Sequence, residues 1–107
     1  MPPRDWRLRV EDILDAITSI DLYVAGMSFD QFRTDRKTVD AVVRNLEVIG
    51  EAARHLSANR ESLPPDIPWA DIAGMRNVLI HEYFGVDPGI IWQTITGDLP
   101  QLRADLQ

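Results

Sequence analysis

Apolar residues recur at alternating steps of three and four along most of this 107-residue chain, which is the period of one face of an α-helix. The first stripe comprises Trp6, Val10, Ile13, Ile17, Ile20 and Val24. Asp5 is placed to cap the start of this helix and Gly26 to end it. Ser28 and Gln31 then have the spacing of a capping box, which predicts a short helix. The end of the bundle is expected to be covered by two aromatic residues of that short helix, Phe29 and Phe32.

A second long helix is predicted to begin after Asp35. Its apolar stripe comprises Val39, Val42, Leu46, Ile49, Ala53 and Leu56. Gly50 lies beside this stripe, where the missing side chain predicts the close approach of a neighbouring helix. Prolines at positions 64, 65 and 68 then break the helical pattern, because each lacks a backbone N–H and has a fixed φ.

The third long helix is predicted to start near Pro68 and to end at Gly85. Its core face comprises Trp69, Ile72, Met75 and Leu79. Asp87 followed by Pro88 opens a final helix. The apolar positions of this final helix are Ile91, Trp92, Ile95, Leu99, Leu102 and Leu106.

Gly97 and Pro100 are expected to bend or interrupt the final helix. No segment shows the strict alternation of apolar and polar residues that is typical of a strand. The predicted fold is therefore all-α, an antiparallel helical bundle of four main helices plus one short helix. One domain is expected to cover residues 1–107.

Net charge, cysteine content and the lack of long apolar segments narrow the functional classes to which the protein can belong. The formal net charge of −6 disfavours proteins that bind nucleic acid through a broad basic face, so any such role requires a local site. The absence of cysteine excludes disulfides and thiolate metal sites. The N-terminal MPPRDWRLRVED lacks the apolar stretch of a signal peptide, and no segment approaches the roughly 20 apolar residues that span a bilayer. A cytoplasmic protein without a membrane segment is expected.

Four polar residues interrupt the apolar pattern of the third long helix within RNVLIHEYFG, at positions 76 to 85: Arg76, Asn77, His81 and Tyr83. Arg76 and Tyr83 lie on nearly the same line of an ideal helix, and Asn77 and His81 share a neighbouring line. Arg76 and His81 are about 140° apart, so they cannot touch side by side. Three arrangements would bring the two side chains to one site: the arginine side chain curls around the helix, the helix loosens towards Gly85, or a second subunit completes the site.

Each of these side chains has an ordinary structural role open to it, but their concentration on one helix indicates chemistry. A histidine titrates near neutral pH and can take a proton from an attacking hydroxyl or return one to a leaving oxygen. An arginine offers forked donors to phosphate oxygens. Phosphodiester transfer suits this pair, with the 2′-hydroxyl of RNA as the nucleophile. No metal or cofactor is predicted, since His81 and the adjacent Glu82 point in different directions.

Two further acids, Glu47 and Glu51, lie in the segment LEVIGEAAR of the second long helix. They line the functional cleft, pair with Arg76 from a neighbouring helix, or remain solvated beside a close helix crossing at Gly50. Because charges spaced four apart are common on surface helices, solvated acids are the preferred interpretation. His55 is expected to be exposed, without a functional role.

Arg76, His81 and Tyr83 fill the pattern R-x-x-x-x-H-x-Y, which resembles the signature of HepT-like toxins, small helical ribonucleases of the HEPN superfamily. The segments IDLYVAGMSFDQF, LEVIGEAAR and PDIPWADIAGMRNVLIHEYFGVD follow in the family's order, so the resemblance covers nearly the whole chain. It implies a homodimer in which two signature helices face each other across a composite cleft for RNA, which supplies a solution to the angular problem.

The resemblance assigns the catalytic positions to Arg76 and His81, with Asn77 in a supporting polar position. It implies a metal-independent endoribonuclease, with tRNA among the substrates of the family. It also implies a partner, the MNT-type nucleotidyltransferase antitoxin, which transfers AMP from ATP to the signature tyrosine, here Tyr83, and silences the toxin. Two alternatives stay open: a non-catalytic module that binds a nucleotidyltransferase or a nucleotide, and a purely structural helical dimer.

Overall fold

The computed structural model describes residues 5–64, 66–81 and 87–107, with the side chains at 59, 60, 62, 78, 80 and 81 excepted. Over these ranges the chain is helical and contains no strand. Its elements are α1 (Trp6–Val24), α2 (Phe29–Thr34), α3 (Arg36–Leu56), a 3-10 helix (Ser57–Ser62), α4 (Trp69–His81), α5 (Pro88–Gln93), a π-helical segment (Thr94–Asp98) and α6 (Leu99–Leu106). The predicted all-α fold is confirmed. The predicted end of the third helix at Gly85 lies outside the described residues.

The helix boundaries follow from local capping. The Asp5 carboxylate accepts a hydrogen bond from the Arg7 amide at 2.9 Å at the start of α1. Gly26, with a φ of +76°, supplies the left-handed turn beyond the end of α1. Ser28 and Gln31 form the predicted capping box, in which each side chain accepts from the backbone of the other residue.

The central helix is α3, which packs against both α1 and α4. The stripes predicted from the sequence form one core, which also takes in residues of α2, α5 and α6. Phe32 of α2 is completely buried, and its ring centroid lies 5.1 Å from that of Trp92. Tilted aromatic pairs at this separation are favourable, and this contact joins α2 to α5.

The final helix is interrupted where the sequence predicted. Pro100 has no N–H to donate to the carbonyl one turn earlier, and a π-helical segment spans Thr94–Asp98 just before it. The hydroxyls of Thr94 and Thr96 donate to the carbonyls of Ile90 and Trp92, at 2.9 and 2.7 Å. These bonds satisfy carbonyl groups around the wider turn. In the described part of the chain, no helix combines the length and hydropathy needed to cross a bilayer.

The crossing of α3 and α4 depends on Gly50. A methyl group at this position would lie 2.6 Å from the Arg76 Cβ and 3.2 Å from the Arg76 amide nitrogen. Real Cβ atoms do not approach carbon so closely, so any side chain at Gly50 would force the two helices apart. The close helix approach predicted at Gly50 is confirmed, and its neighbour is the arginine of the signature.

Gly50→Ala is therefore expected to destabilise the protein by about 1–3 kcal/mol, because the added methyl overpacks the crossing. Gly74→Ala is the matched control, since nothing lies within 4 Å of a methyl group there and alanine favours the helix. It should raise stability by about 0.5–1 kcal/mol. Urea denaturation followed by circular dichroism measures both. Equal effects of the two substitutions would contradict the tight crossing.

Candidate functional site

Arg76 emerges from the helix crossing at the edge of a polar cleft. Its Nε lies 3.0 Å from the Glu51 Oε2, and this ion pair joins α4 to α3. The two side chains are 35% and 33% exposed, so the pair is accessible from solvent but partly screened from it. A guanidinium that is paired through Nε carries further N–H donors on its two terminal nitrogens. The ion pair thus holds the Arg76 side chain at the edge of the cleft while leaving it partly exposed.

Glu51 holds three cationic or potentially cationic groups at once. Besides Arg76, its Oε1 accepts from the Arg54 Nη2 at 2.9 Å and lies 3.1 Å from the His55 Nε2. The hydrogen bond from Arg54 makes the largest contribution to lowering the pKa of Glu51 from 4.5 to about 2, and the charges of Arg54 and Arg76 add to it. Glu51 is therefore ionised throughout the neutral range, and its charge is permanently available to Arg76.

The cleft has a volume of about 250 Å³ and is formed where α1, α3 and α4 meet. It is lined by Arg9, Asp12, Arg44, Glu47, Val48, Glu51, Ala52 and Arg76. Three arginines face three carboxylates, so the formal local charge is zero in a chain with a net charge of −6. The positive and negative charges of the cleft therefore cancel, although the protein as a whole is acidic. Attraction for a phosphate here must come from individual guanidinium groups and not from a broad positive field.

The predicted site residues fall into three groups. Arg76, Glu51 and Glu47 come together at the cleft. Asn77 is exposed, and it is not one of the residues that line this depression. The backbone of His81 is the last residue of α4, but its side chain and all of Tyr83 lie outside the described residues.

The preference for solvated acids is wrong for Glu51. The alternative, pairing with Arg76, is what the structure shows, and the close crossing at Gly50 is what makes the pairing possible. His55 is exposed as expected, but its contact with Glu51 makes it part of the same polar network. Surface spacing alone could not distinguish these cases, because it does not tell which helix packs beside Gly50.

Three charged residues of the cleft were not identified from the sequence: Arg9, Asp12 and Arg44. A weak signal exists, since Arg9 and Asp12 are three apart on α1 and therefore share a face of that helix. Nothing in the sequence shows that this face turns toward Arg76. Among the described side chains, no group of three or more His, Asp or Glu residues is arranged to hold a metal ion.

Comparison with known proteins identifies the family to which the chain is similar. The family model described as "Ribonuclease HepT-like" matches residues 13–107. The chain is 42% identical over 98 residues to a probable ribonuclease HepT of Thermococcus cleftensis, covering 92% of this chain and 89% of the relative. It is also 42% identical over 98 residues to a candidate RNase of Caldanaerobacter subterraneus, covering 92% and 88%.

A candidate RNase of Methanocaldococcus jannaschii is 41% identical over 100 residues, which cover 94% of this chain and 83% of that protein. No solved structure matches the chain. The resemblance found in the signature segments is confirmed by the family model and by relatives that are similar over most of their length. On these grounds, the chain belongs to the HepT-like ribonuclease family.

Proposed function

We propose that this protein is a metal-independent endoribonuclease and the toxin of a toxin–antitoxin pair, acting in the cytoplasm as a homodimer. Its relatives are named as ribonucleases, which supports RNA as the substrate class. The structural observation that carries the proposal is the anchored guanidinium of Arg76, held through Nε by Glu51 at a polar cleft. The family resemblance places tRNA among the candidate RNA substrates.

The anchored arginine suits the charge that develops during phosphodiester cleavage. The pentacoordinate phosphorane carries more negative charge on its non-bridging oxygens than the ground state does, and preorganised donors stabilise that charge. With Nε fixed on Glu51, the terminal nitrogens of Arg76 supply a pair of donors to those oxygens. Glu51 also limits the rotamers of Arg76, so less freedom is lost when RNA binds.

His81 supplies the proton transfers in this proposal. The imidazole takes the proton from the RNA 2′-hydroxyl as that oxygen attacks the adjacent phosphorus and the bond to the 5′-oxygen breaks. The products are a 2′,3′-cyclic phosphate and a 5′-hydroxyl, whose oxygen receives a proton from an imidazolium or from water. Because Arg76 and His81 lie about 140° apart on an ideal helix, we propose that each arginine acts with the histidine of the partner copy.

Inactivation is proposed to occur at Tyr83. The phenolic oxygen attacks the α-phosphorus of ATP in the partner nucleotidyltransferase, pyrophosphate leaves, and the phenolic proton passes to solvent. The product carries a negatively charged phosphodiester seven residues from Arg76 in the sequence, a spacing that puts two residues on nearly the same line of an ideal helix. That charge would compete with RNA for the guanidinium and repel incoming phosphates.

Arg76→Ala and His81→Ala are each expected to reduce RNA cleavage in the presence of EDTA by at least about 100-fold. Arg36→Ala is the matched control: this arginine is 77% exposed, lies on α3 outside the cleft, and should cut at the wild-type rate. Circular dichroism establishes that all three variants keep their helices. Wild-type cleavage rates in both signature variants would refute the catalytic assignment.

The composite cleft is tested by co-expressing the two inactive variants. A heterodimer of Arg76→Ala with His81→Ala retains one intact arginine and one intact histidine on different copies, so cleavage should partly return. Continued inactivity of a verified heterodimer would contradict the composite cleft while leaving the nuclease assignment intact.

If the wild-type protein cuts no RNA but binds a nucleotide or nucleotidyltransferase, the non-catalytic module is the correct function.

Glu51→Gln is expected to lower kcat by roughly 10- to 100-fold without raising KM, because Arg76 loses its orienting charge but the cleft also loses a group that repels RNA. Since the pKa of Glu51 is about 2, it does not titrate across about pH 5 to 8, and the pH profile should keep its shape. Glu11→Gln, on the exposed face of α1, is the control. An unchanged kcat with a higher KM would show that Glu51 does not position Arg76.

Tyr83→Phe is expected to accept no AMP when incubated with the cognate nucleotidyltransferase and ATP, and to remain an active nuclease. Intact-mass spectrometry measures the modification, and peptide mapping locates it. The chain offers an ideal control in Tyr23, its other tyrosine, which is 45% exposed near the end of α1. Tyr23→Phe should be modified as efficiently as the wild type. AMP found on Tyr23 would overturn the assignment.

A further inference from the structure

A second depression lies on a different face of α4 from Arg76. It has a volume of about 470 Å³ and runs between the first half of α4 and the π-helical segment with α6. We refer to it as the acidic groove, lined by Ile49, Pro68, Asp71, Ile72, Met75, Thr94, Gly97, Asp98, Leu99, Gln101, Leu102 and Asp105. None of these residues lines the cleft around Arg76, so the two depressions are separate features.

The floor of the acidic groove is apolar. Ile49, Leu99 and Leu102 are buried in the core, and Ile72 and Met75 are partly buried and pack against it. A methionine thioether adapts its shape to different partners more readily than a branched side chain does. The floor therefore offers an adaptable apolar surface to incoming side chains.

The rim of the groove is negatively charged. Asp71, Asp98 and Asp105 line it, and no lysine or arginine is among its described lining residues. Arg103, which neighbours Leu102 in the sequence, is bound instead to Asp21 of α1 at 2.7 Å. The three aspartates are thus not neutralised by that arginine, and their fields combine over an apolar floor.

We propose that the acidic groove binds a cationic amphipathic segment of a partner protein. Apolar side chains of that segment fill the floor, while its lysines or arginines face the three aspartates. RNA does not suit this surface, because its phosphates would meet three carboxylates. A second copy of this chain is the competing occupant, and the mass of the protein in solution distinguishes the two. This binding is independent of RNA cleavage and extends the proposed function.

The test uses the full-length protein and a fluorescein-labelled helical peptide with leucines on one face and lysines on the other. Fluorescence anisotropy should show binding that weakens with salt and is at least about tenfold tighter than binding of a peptide with glutamate in place of lysine. In ¹⁵N spectra, the peptide should shift the amides of groove residues Thr94, Gly97 and Gln101.

The double variant Asp98→Lys/Asp105→Lys should weaken peptide binding by at least about tenfold. Glu11→Lys/Asp15→Lys makes the same change in net charge on the exposed face of α1 and should alter binding by less than about twofold. Thermal melts establish that both variants fold. The readout is binding alone, so it remains informative even if the protein cuts no RNA.

Three results would overturn the proposal. Failure of the peptide to bind would show that the groove recognises no cationic segment. Equal losses in the two double variants would show general charge attraction without a site. A change in the sedimentation mass of Asp98→Lys/Asp105→Lys would show that a second copy of this chain covers the groove.

Discussion

The contact between Gly50 and Arg76 is the constraint on which the rest of the structure depends. With hydrogen in place of a side chain, α3 approaches α4 until the Arg76 Cβ occupies the space that a methyl group would need. Glu51, the next residue of α3, is thereby brought within 3.0 Å of the guanidinium. A wider crossing would separate this carboxylate from the arginine. Arg76 is thus held at its Cβ by packing and at its Nε by the charge of Glu51.

Residues of α4 consequently contribute to several surfaces of the protein. The buried positions Trp69 and Leu79 attach α4 to the core, while Arg76 faces the polar cleft with α1 and α3. Met75, the preceding residue, turns about 100° away and lines the acidic groove. This division explains why the apolar stripe of α4 is interrupted by polar residues without loss of the fold. The polar residues of α4 occupy the faces that are not packed against the core.

The sequence predicted those features that depend on local chemistry. The Ser28–Gln31 capping box, the turn at Gly26 and the interruption before Pro100 each follow from residues within one or two helical turns. The core stripes were also predictable, because their period matches that of the helix. These features need no knowledge of which helices become neighbours.

The candidate site was predicted only in part, because it is assembled from three helices. Gly50 indicated a close crossing, but not that Arg76 lies on the other side. For that reason the spacing along α3 predicts that Glu51 is solvated, whereas it pairs with Arg76. The same spacing gives no indication that Arg44 lines the cleft. Long-range pairing of this kind is set by the packing of whole helices, which periodicity in a single chain does not specify.

The most direct test of the anchored arginine is side-chain ¹⁵N spectroscopy of Arg76, with Arg76→Lys used to assign its resonances. The account predicts that its Nε–H exchanges slowly with water, that this protection disappears in Glu51→Gln, and that an uncleavable 2′-deoxy RNA analogue shifts the terminal nitrogens while Nε stays protected. An Nε–H that exchanges as fast as that of the exposed Arg36, with no Arg76 resonance responding to the analogue, would contradict it.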